Sequence, residues 1–262
     1  MKIQHLLTLA SLTTVTLATA TLATTLLSSA TSFAGGSDNS DIHSKPSTSQ
    51  NIDPTFDIIH TRVTTQNNIA TFHMAVASQA GTSKPSASGK LAGSSVYSYV
   101  WPTSLDSASV GFESDAGILT LAVTAHPDFD DTPLYDENAD NDPGNDGDVW
   151  HSHWVVLQPN QQCGKGALGV VDIPEGTTPR LPKTWPGLPI LLDSPGWDPV
   201  FNGDTVKVQV AFDDIKTFEK TTFDGVTAGL RVNQSVHAPL LCVVNVIDIA
   251  SGDLSLPGRI SQ

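Results

Sequence analysis

The sequence predicts an all-β protein, a β-sandwich-like domain or a related barrel of about ten short strands with long loops. Two observations support this class. Short apolar segments recur along the chain, and the segments between them are rich in turn-forming residues, among 17 prolines and 20 glycines. Long segments with a 3.6-residue apolar period are missing, and only residues 213–220 have the pattern of a helical turn or two. No internal repeat is found, so residues 52–262 are predicted to form a single β-rich metal-binding domain.

The first predicted strands form a hairpin, followed by eight further strands. The hairpin strands are residues 56–64 and 69–78, joined by an Asn-rich turn. A turn centred between Gln66 and Asn67 places His60 directly across from His73, and a register shifted by two makes them diagonal neighbours. The same pattern turns Met74 towards the core. The other predicted strands are residues 95–101, 117–125, 149–158, 168–173, 188–193, 205–212, 226–232 and 240–249.

The N-terminal residues have the composition of a secretory signal peptide. Residues 1–34 contain one charge, Lys2, then a Leu/Thr/Ala stretch and small residues ending at Ala34, with Ala20 as an earlier cleavage alternative. The stretch is too rich in Thr and Ser for a good membrane anchor, and no later segment approaches the roughly 18 apolar residues of a transmembrane span. We therefore expect a secreted or outer-surface protein without a span. Residues 35–51 are expected to form a flexible N-terminal arm.

Charge and cysteine content restrict the partners and the compartment. The net charge of −14 disfavours binding to phosphate backbones, so no nucleic-acid partner is expected, and it favours attraction of metal cations. Cys163 and Cys242 are the only cysteines of the chain. An even count in an oxidising compartment predicts a disulfide between them, and two unpaired buried thiols are the alternative.

Two histidine pairs are the candidate metal ligands. In a strand, His151 and His153 share a face at a distance of roughly 7 Å, while Trp150 and Trp154 point to the opposite face. The hairpin brings a second pair, His60 and His73, together. Imidazole without nearby thiolate suits copper or zinc. A single strand histidine is more often hydrogen-bonded or solvated, and this is the expectation for the two other histidines with informative contexts, His126 and His237.

The most acidic segment of the chain directly precedes the His151 strand. Oxygen ligands at alternate positions, separated by residues that allow tight turns, are typical of calcium loops. We therefore predict a calcium site in this segment, although Pro143 interrupts the pattern and no Glu occupies the twelfth position, so a solvated acidic loop is the alternative. The predicted calcium ligands are Asp136, Asn138, Asp140, Asp142, Asp146 and Asp148.

The sequence offers little that indicates catalysis. It contains no Gly-x-Ser-x-Gly elbow, no His-Glu-x-x-His helix motif, no phosphate-binding loop and no glycine-rich dinucleotide fingerprint. The prediction is therefore a binding protein and not an enzyme.

Three stretches resemble a known family. Residues 96–102 (VYSYVWP), 126–133 (HPDFDDTP) and 150–154 (WHSHW) are similar to the exported, surface-associated copper-binding proteins of methanotrophs, the CorA/MopE type. The resemblance implies a β-rich fold, one Cu(I) ion held by two histidines and an oxidised tryptophan (kynurenine), calcium binding, and a role in copper acquisition. On this basis the copper ligands would be among His60, His73, His151 and His153, with Trp150 or Trp154 as the modified residue.

These expectations combine into one functional hypothesis with two alternatives. The hypothesis is an exported, surface-associated copper-binding protein that serves copper acquisition, with calcium in the acidic loop. A calcium-dependent surface adhesin or glycan-binding module is the first alternative, and exposed aromatic residues in a groove would favour it. A copper oxidoreductase is the second, and it requires an open coordination position and a substrate groove.

Overall fold

A computed structural model of the chain describes residues 40–47 and 51–262, which belong to one compact unit, Asp38–Gln262. The predicted signal peptide, residues 1–34, lies outside the described residues. Within the described ranges, no helix is long and apolar enough to cross a membrane.

The described chain is almost entirely β-structure, as the sequence predicts. In the described part of the chain, the helical elements are two short 3-10 helices, Ser107–Val110 and Ile215–Phe218. The strands are β1 (Ile42–His43), β2 (Ile58–Gln66), β3 (Ile69–Val76), β4 (Ser95–Pro102), β5 (Ile118–Ala125), β6 (His151–Pro159), β7 (Leu168–Val170), β8 (Leu192–Asp193), β9 (Val200–Asn202), β10 (Thr205–Ala211), β11 (Thr222–Phe223), β12 (Val226–Val232), β13 (Leu241–Ile249) and β14 (Gly258–Arg259).

The largest sheet closes on itself into a barrel. Its strands follow the order β5-β4-β12-β13-β7-β6, and β5 pairs with β6 to complete a ring of six antiparallel strands. The short strand β8 adds to β6. Closure removes the exposed edges that an open sheet would present. The prediction of an all-β fold is thus confirmed. The sandwich-like architecture is not confirmed, because the largest sheet forms a six-stranded barrel, the related form.

A second sheet of five strands, in the order β1-β2-β3-β10-β9, contributes to a core shared with the barrel wall. Phe72 and Met74 of β3 are fully buried there. They belong to the same apolar cluster as Trp101 of β4 and Trp154 of β6. Phe72 contacts both tryptophan rings edge-on, with ring centroids 6.0 and 5.8 Å away. These contacts fix which face of β4 and β6 points away from the barrel axis.

A separate apolar cluster fills the barrel interior. It is built from the alternate residues of the same strands, which point inward because successive side chains of a strand lie on opposite faces. Strand β6 contributes side chains to both clusters. Val155 and Leu157 belong to the interior cluster, while Trp154 and Val156 belong to the outer core, the cluster between the barrel and the five-stranded sheet. The barrel wall is therefore buried on both faces along this strand.

All ten predicted strands are present, and the helical turn predicted for residues 213–220 is confirmed by the 3-10 helix there.

The hairpin of β2 and β3 has a register shifted by two residues from the one centred between Gln66 and Asn67. A two-residue turn at Asn67-Asn68 pairs Gln66 with Ile69, so Arg62 faces His73, and His60 faces Ala75 after a bulge near Ile58. The two histidines are therefore diagonal neighbours. In the predicted N-terminal arm, Ile42–His43 forms β1 and pairs with β2.

The predicted disulfide between Cys163 and Cys242 is present, with Cα atoms 5.3 Å apart. It joins the turn between β6 and β7 to β13, 79 residues further along the chain. Cross-linking residues so far apart restricts the unfolded chain strongly.

Replacement of both cysteines by Ala should lower the free energy of unfolding by about 4–5 kcal/mol, because the closed loop is long. Urea denaturation of the variant and of the unreduced parent protein measures this difference. Thiol labelling of the denatured, unreduced parent should find no reactive thiol. Two labelled thiols per chain would contradict the assignment.

Candidate metal centre

The candidate centre lies at the barrel end where β5 finishes and β6 begins. These two strands are antiparallel neighbours, with Thr124 opposite His151 and Ala122 opposite His153. Residues 126–150 connect them. His126 directly follows β5 and continues its inward alternation after Ala122 and Thr124, so it lies beside the two histidines of β6. The strand pairing thus brings three histidines together.

A carboxylate from the connecting loop completes the group. Asp131 Oδ1 lies 3.1 Å from His126 Nε2, 3.2 Å from His151 Nε2 and 3.2 Å from His153 Nε2. The Nε2 atoms of His126 and His151 are 3.0 Å apart. All four side chains are at most 3% exposed. Three nitrogens and one oxygen therefore face a single buried point.

The outer nitrogens of the imidazoles have hydrogen-bond partners that determine the neutral tautomers. His126 Nδ1 lies 2.9 Å from the carbonyl oxygen of Phe129, and His151 Nδ1 lies 2.7 Å from that of Val149. A carbonyl oxygen only accepts, so each Nδ1 must carry the proton. Each Nε2 of these neutral rings then presents a lone pair to the centre.

His153 reaches the same state through a hydroxyl group. Its Nδ1 lies 3.1 Å from Ser194 Oγ, which donates its only proton to the carbonyl oxygen of Asp131 at 2.6 Å. Ser194 Oγ can therefore only accept from Nδ1. Three lone pairs and a carboxylate oxygen consequently converge without a proton between them when the rings are neutral, and such a group could hold a cation.

The dimensions of the group fit a d-block ion. Metal–nitrogen distances of about 2.0 Å in a tetrahedron give ligand–ligand distances of about 3.3 Å. The four measured separations of 3.0–3.2 Å are close to this value. The donor set of three imidazoles and one carboxylate is also one that zinc and copper accept.

The pKa of Asp131 depends on positive charge in the centre. Burial raises the pKa of this carboxyl group, and positive charge on His153 and His126 lowers it to well below the usual range. A carboxylate that has left water in this way needs a positive charge nearby. A bound cation would supply that charge without protonating the imidazoles.

The surroundings of the centre on the barrel side are apolar. A narrow cavity of about 70 Å³ runs inside the barrel and touches His126, Asp131 and His153. The ring of Phe129 stacks on that of His126, with centroids 3.9 Å apart and planes within 8°. Few polar groups compete for the ligands here, so interactions with a cation are strengthened by the low local dielectric constant.

Gly147 permits the loop to close over the centre. Its carbonyl oxygen accepts a hydrogen bond from His126 N at 2.6 Å. A Cβ atom at this position would overlap the carbonyl oxygens of Phe129 and His126. Glycine is therefore required where the two ends of the loop meet.

A second group of ionisable residues lies in the same loop. Oxygen atoms of Asp130, Glu137 and Asp146 lie within 4.8 Å of one another. Asp146 is fully buried, and its Oδ1 has no hydrogen-bond partner. Burial raises the pKa of the Glu137 carboxyl group, and hydrogen bonding to Thr132 offsets only part of that rise. Hard oxygen ligands of this kind suit Ca²⁺.

Of the six predicted calcium ligands, only Asp146 belongs to this group. Asp136, Asn138, Asp140 and Asp142 instead accept hydrogen bonds from backbone N–H groups within the loop, for example Asp140 Oδ1 from Asp142 N at 2.9 Å. Asp148 is exposed. The alternating carboxylates therefore stabilise loop turns, and those that converge are Asp130, Glu137 and Asp146.

The structure brings together only half of the predicted copper ligands. His151 and His153 lie in the centre, whereas His60 and His73 lie on the outer face of the five-stranded sheet, with ring centroids 5.7 Å apart. Burial, followed by the charge of Arg62, lowers the pKa of His73. The expected convergence of both pairs on one ion is therefore not found, because β2 and β3 belong to a different sheet from β6.

The predicted tryptophan candidates lie on the other face of β6, as strand alternation predicts. Trp154 is fully buried in the outer core. Trp150 is also in that core, and its Nε1 donates to the carbonyl oxygen of Gly81 at 2.8 Å. Neither side chain belongs to the four-residue group.

Sequence reasoning missed two members of the group, His126 and Asp131. His126 was expected not to bind metal. His237, for which the expectation was the same, is not a member of the group and pairs with Asp172 at 3.0 Å. The available signal was the inward alternation of Ala122, Thr124 and His126. It becomes informative only when β5 is known to pair with β6.

Comparisons with protein-family models, with curated proteins and with solved structures found no match. The functional assignment therefore rests on the geometry of the centre and on the sequence.

Replacement of Ser194 by Ala should weaken metal binding while the fold is retained. The variant leaves His153 Nδ1 without its acceptor, and loss of such an outer partner costs roughly 10–100-fold in affinity. Competition with a chromophoric chelator measures the change. Ser98→Ala is the matched control, because Ser98 is equally buried and donates to the backbone carbonyl of Ala228, not to a residue of the histidine group. Equal affinities for the two variants would contradict the role given to Ser194.

Proposed function

We propose that the protein binds one d-block metal ion through His126, Asp131, His151 and His153, and that the ion is copper. The observation that carries this proposal is the set of outer hydrogen bonds, which leaves three Nε2 lone pairs and an ionised carboxylate facing one point. Without a cation, the nitrogens of His126 and His151 would repel each other at 3.0 Å unless one ring were protonated.

The donor set supports Cu²⁺ as the bound form. At a site made of nitrogen and oxygen ligands, Cu²⁺ binds more tightly than the other divalent first-row ions, including Zn²⁺. A carboxylate and four converging donors suit a divalent ion better than Cu(I), which prefers soft ligands and low coordination numbers. The expected ligand set of two histidines and an oxidised tryptophan is thus replaced in this proposal by three histidines and Asp131.

The burial of the centre supports a role in holding the ion. We propose that this role serves copper acquisition by an exported protein. All four ligand side chains are nearly inaccessible to water, and the cavity beside them is apolar and narrow. A polar substrate would find neither space nor hydrogen-bond partners there. Binding and retention of the ion are therefore favoured over catalysis.

Single replacements of His126, His151 and His153 by Ala should each abolish stoichiometric copper binding. Each removes one of four donors and leaves a buried carboxylate partly uncompensated. Copper per chain is measured by elemental analysis after removal of loosely bound ions, with circular dichroism to verify folding. Electron paramagnetic resonance of the loaded parent protein should show nitrogen-coordinated Cu²⁺.

His237→Ala is the matched control, because His237 also pairs with a carboxylate but lies at the surface. It should retain full copper. Full loading of all three centre variants would refute the site. Retention of zinc but not copper by the parent protein would refute the metal assignment while leaving the site intact.

We further propose that Ca²⁺ binds to Asp130, Glu137 and Asp146. The support comes from the fully buried, unpartnered Oδ1 of Asp146, directed into a group with two other carboxylates. Asp130 also accepts hydrogen bonds from Asp146 N at 2.9 Å and Thr132 N at 2.6 Å, which hold it in place. A divalent cation would offset the repulsion among these three carboxylates, of which Asp130 and Glu137 are half-buried and Asp146 is fully buried.

Calcium at about 100 times its dissociation constant should raise the free energy of unfolding by about 2.7 kcal/mol. Asp146→Asn should remove most of this gain, because it neutralises the buried ligand. Thermal unfolding with calcium and with a chelator measures the effect. Asp142→Asn is the control, since Asp142 is exposed and accepts only from Gly144 N at 3.2 Å. A calcium response that is unchanged in Asp146→Asn would contradict this site.

A glycan-binding module remains the second candidate function, because one open groove has an aromatic lining. The groove has a volume of about 640 Å³ and is lined by Trp197, Arg180 and Lys183 among others. Trp197 is only partly exposed, and the other tryptophan of the lining, Trp154, is fully buried. Little aromatic surface is therefore available for stacking on a sugar ring. The buried ligand group supports metal binding more strongly.

A further inference from the structure

A second group of imidazoles lies on the outer face of the five-stranded sheet, on its edge strand β1 and on β2. His43 of β1 is the direct cross-strand partner of His60 of β2. Their ring centroids are 4.5 Å apart. Direct partners in an antiparallel pair bring their side chains close enough to share a ligand. The register alone thus places two imidazoles side by side.

Asp41 adds a carboxylate to this pair. Its Oδ2 lies 3.0 Å from His60 Nε2. Ligand atoms of Asp41, His43 and His60 all lie within 4.8 Å of one another. The alternation of β1 explains the spacing, because residues two apart in a strand share a face. Asp41 and His43 therefore flank His60 from one side.

His60 also has an imidazole neighbour on its other side. The register of β2 on β3 shifts between Ile58 and His60, so that His60 faces Ala75 and His73 lies diagonally across from it, with ring centroids 5.7 Å apart.

His73 is a neighbour of this group and not one of its ligands. Arg62 and Lys207 are its cross-strand partners on the two sides, and both carry positive charge. These charges disfavour a cation beside His73. Asp41, by contrast, supplies a negative charge beside His60 and His43.

We propose that Asp41, His43 and His60 form a second metal site, exposed at the sheet surface, that takes a divalent d-block ion such as Cu²⁺. Two imidazoles and one carboxylate are a donor set that Cu²⁺ binds readily. The proposal goes beyond the buried centre and does not depend on it, because the two groups share no residue and lie on different sheets.

The two sites differ in exposure, and this difference determines how they bind. His60 is 18% exposed and Asp41 28% exposed, and His43 is exposed, whereas the ligands of the buried centre are at most 3% exposed. Side chains in contact with water have more rotamers to lose, and water competes for the ion. The surface site therefore binds more weakly and exchanges its ion faster than the centre.

The test uses Cu²⁺ with the full folded protein. Equilibrium dialysis of the parent protein should give two bound ions per chain, of which a competing chelator removes one rapidly. His43→Gln and His60→Gln should each weaken the exchangeable ion by roughly tenfold or more, as expected for loss of a ligand. His237→Gln is the matched control, because it alters another surface histidine that pairs with a carboxylate, and it should leave both ions unchanged.

The outcomes separate this site from the buried centre. Loss of only the exchangeable ion in His43→Gln and His60→Gln supports the surface site. An exchangeable ion that persists in both variants with unchanged affinity, or a parent protein that binds no exchangeable ion, overturns it. If the parent protein lacks the chelator-resistant ion but retains the exchangeable one, the proposed buried centre fails and the surface site stands.

Discussion

Three imidazole nitrogens and one carboxylate oxygen converge at the end of a closed barrel, and much of the local structure serves to hold them there. Polar atoms so deeply buried need partners, because water cannot solvate them. The Nδ1 atom of each imidazole makes a hydrogen bond that fixes the orientation of the ring. Two of these bonds go to backbone carbonyls and one goes to Ser194. The inner nitrogens thereby present lone pairs that could bind a cation, and the fixed orientation of the rings would lower the cost of that binding.

The pairing of β5 with β6 is the step on which this arrangement depends. It closes the barrel and places the two ends of residues 126–150 side by side, so that a loop from β5 to β6 must fold over the barrel end. Both faces of β6 are buried. At the start of the strand the inward side chains are the candidate ligands His151 and His153, and further along they are the apolar Val155 and Leu157. The outward side chains pack against the five-stranded sheet. The polar centre is confined to one end because the rest of the interior is apolar.

Local patterns in the sequence predicted ten of the fourteen strands in the described residues, missing the short strands β1, β9, β11 and β14, and they did not predict the ligand group. Strand alternation predicts the positions of His151, His153, Trp150 and Trp154 on their faces, because it depends only on neighbours in the chain. Asp131 and His126 join the centre through the long-range pairing of β5 with β6 and the path of the loop between them, and neither follows from local periodicity. The hairpin histidines illustrate the same limit. His60 and His73 are close to each other, as predicted, but their strands belong to a different sheet from β6, which local patterns do not predict.

The loop of residues 126–150 connects the two proposed buried sites through adjacent residues. Asp131 points into the histidine centre and Asp130 into the carboxylate group, so one short backbone segment positions a ligand for each ion. Asp130 is held by Asp146 N and Thr132 N, and the chain on its other side leads through Phe129 to His126. A cation that orders Asp130 and Asp146 also restricts the backbone that carries Asp131. By thermodynamic linkage, any gain in copper affinity caused by calcium must be matched by an equal gain in calcium affinity caused by copper. On the proposed function, an acidic exported protein thus assembles its d-block metal centre on a loop that a hard cation keeps in place.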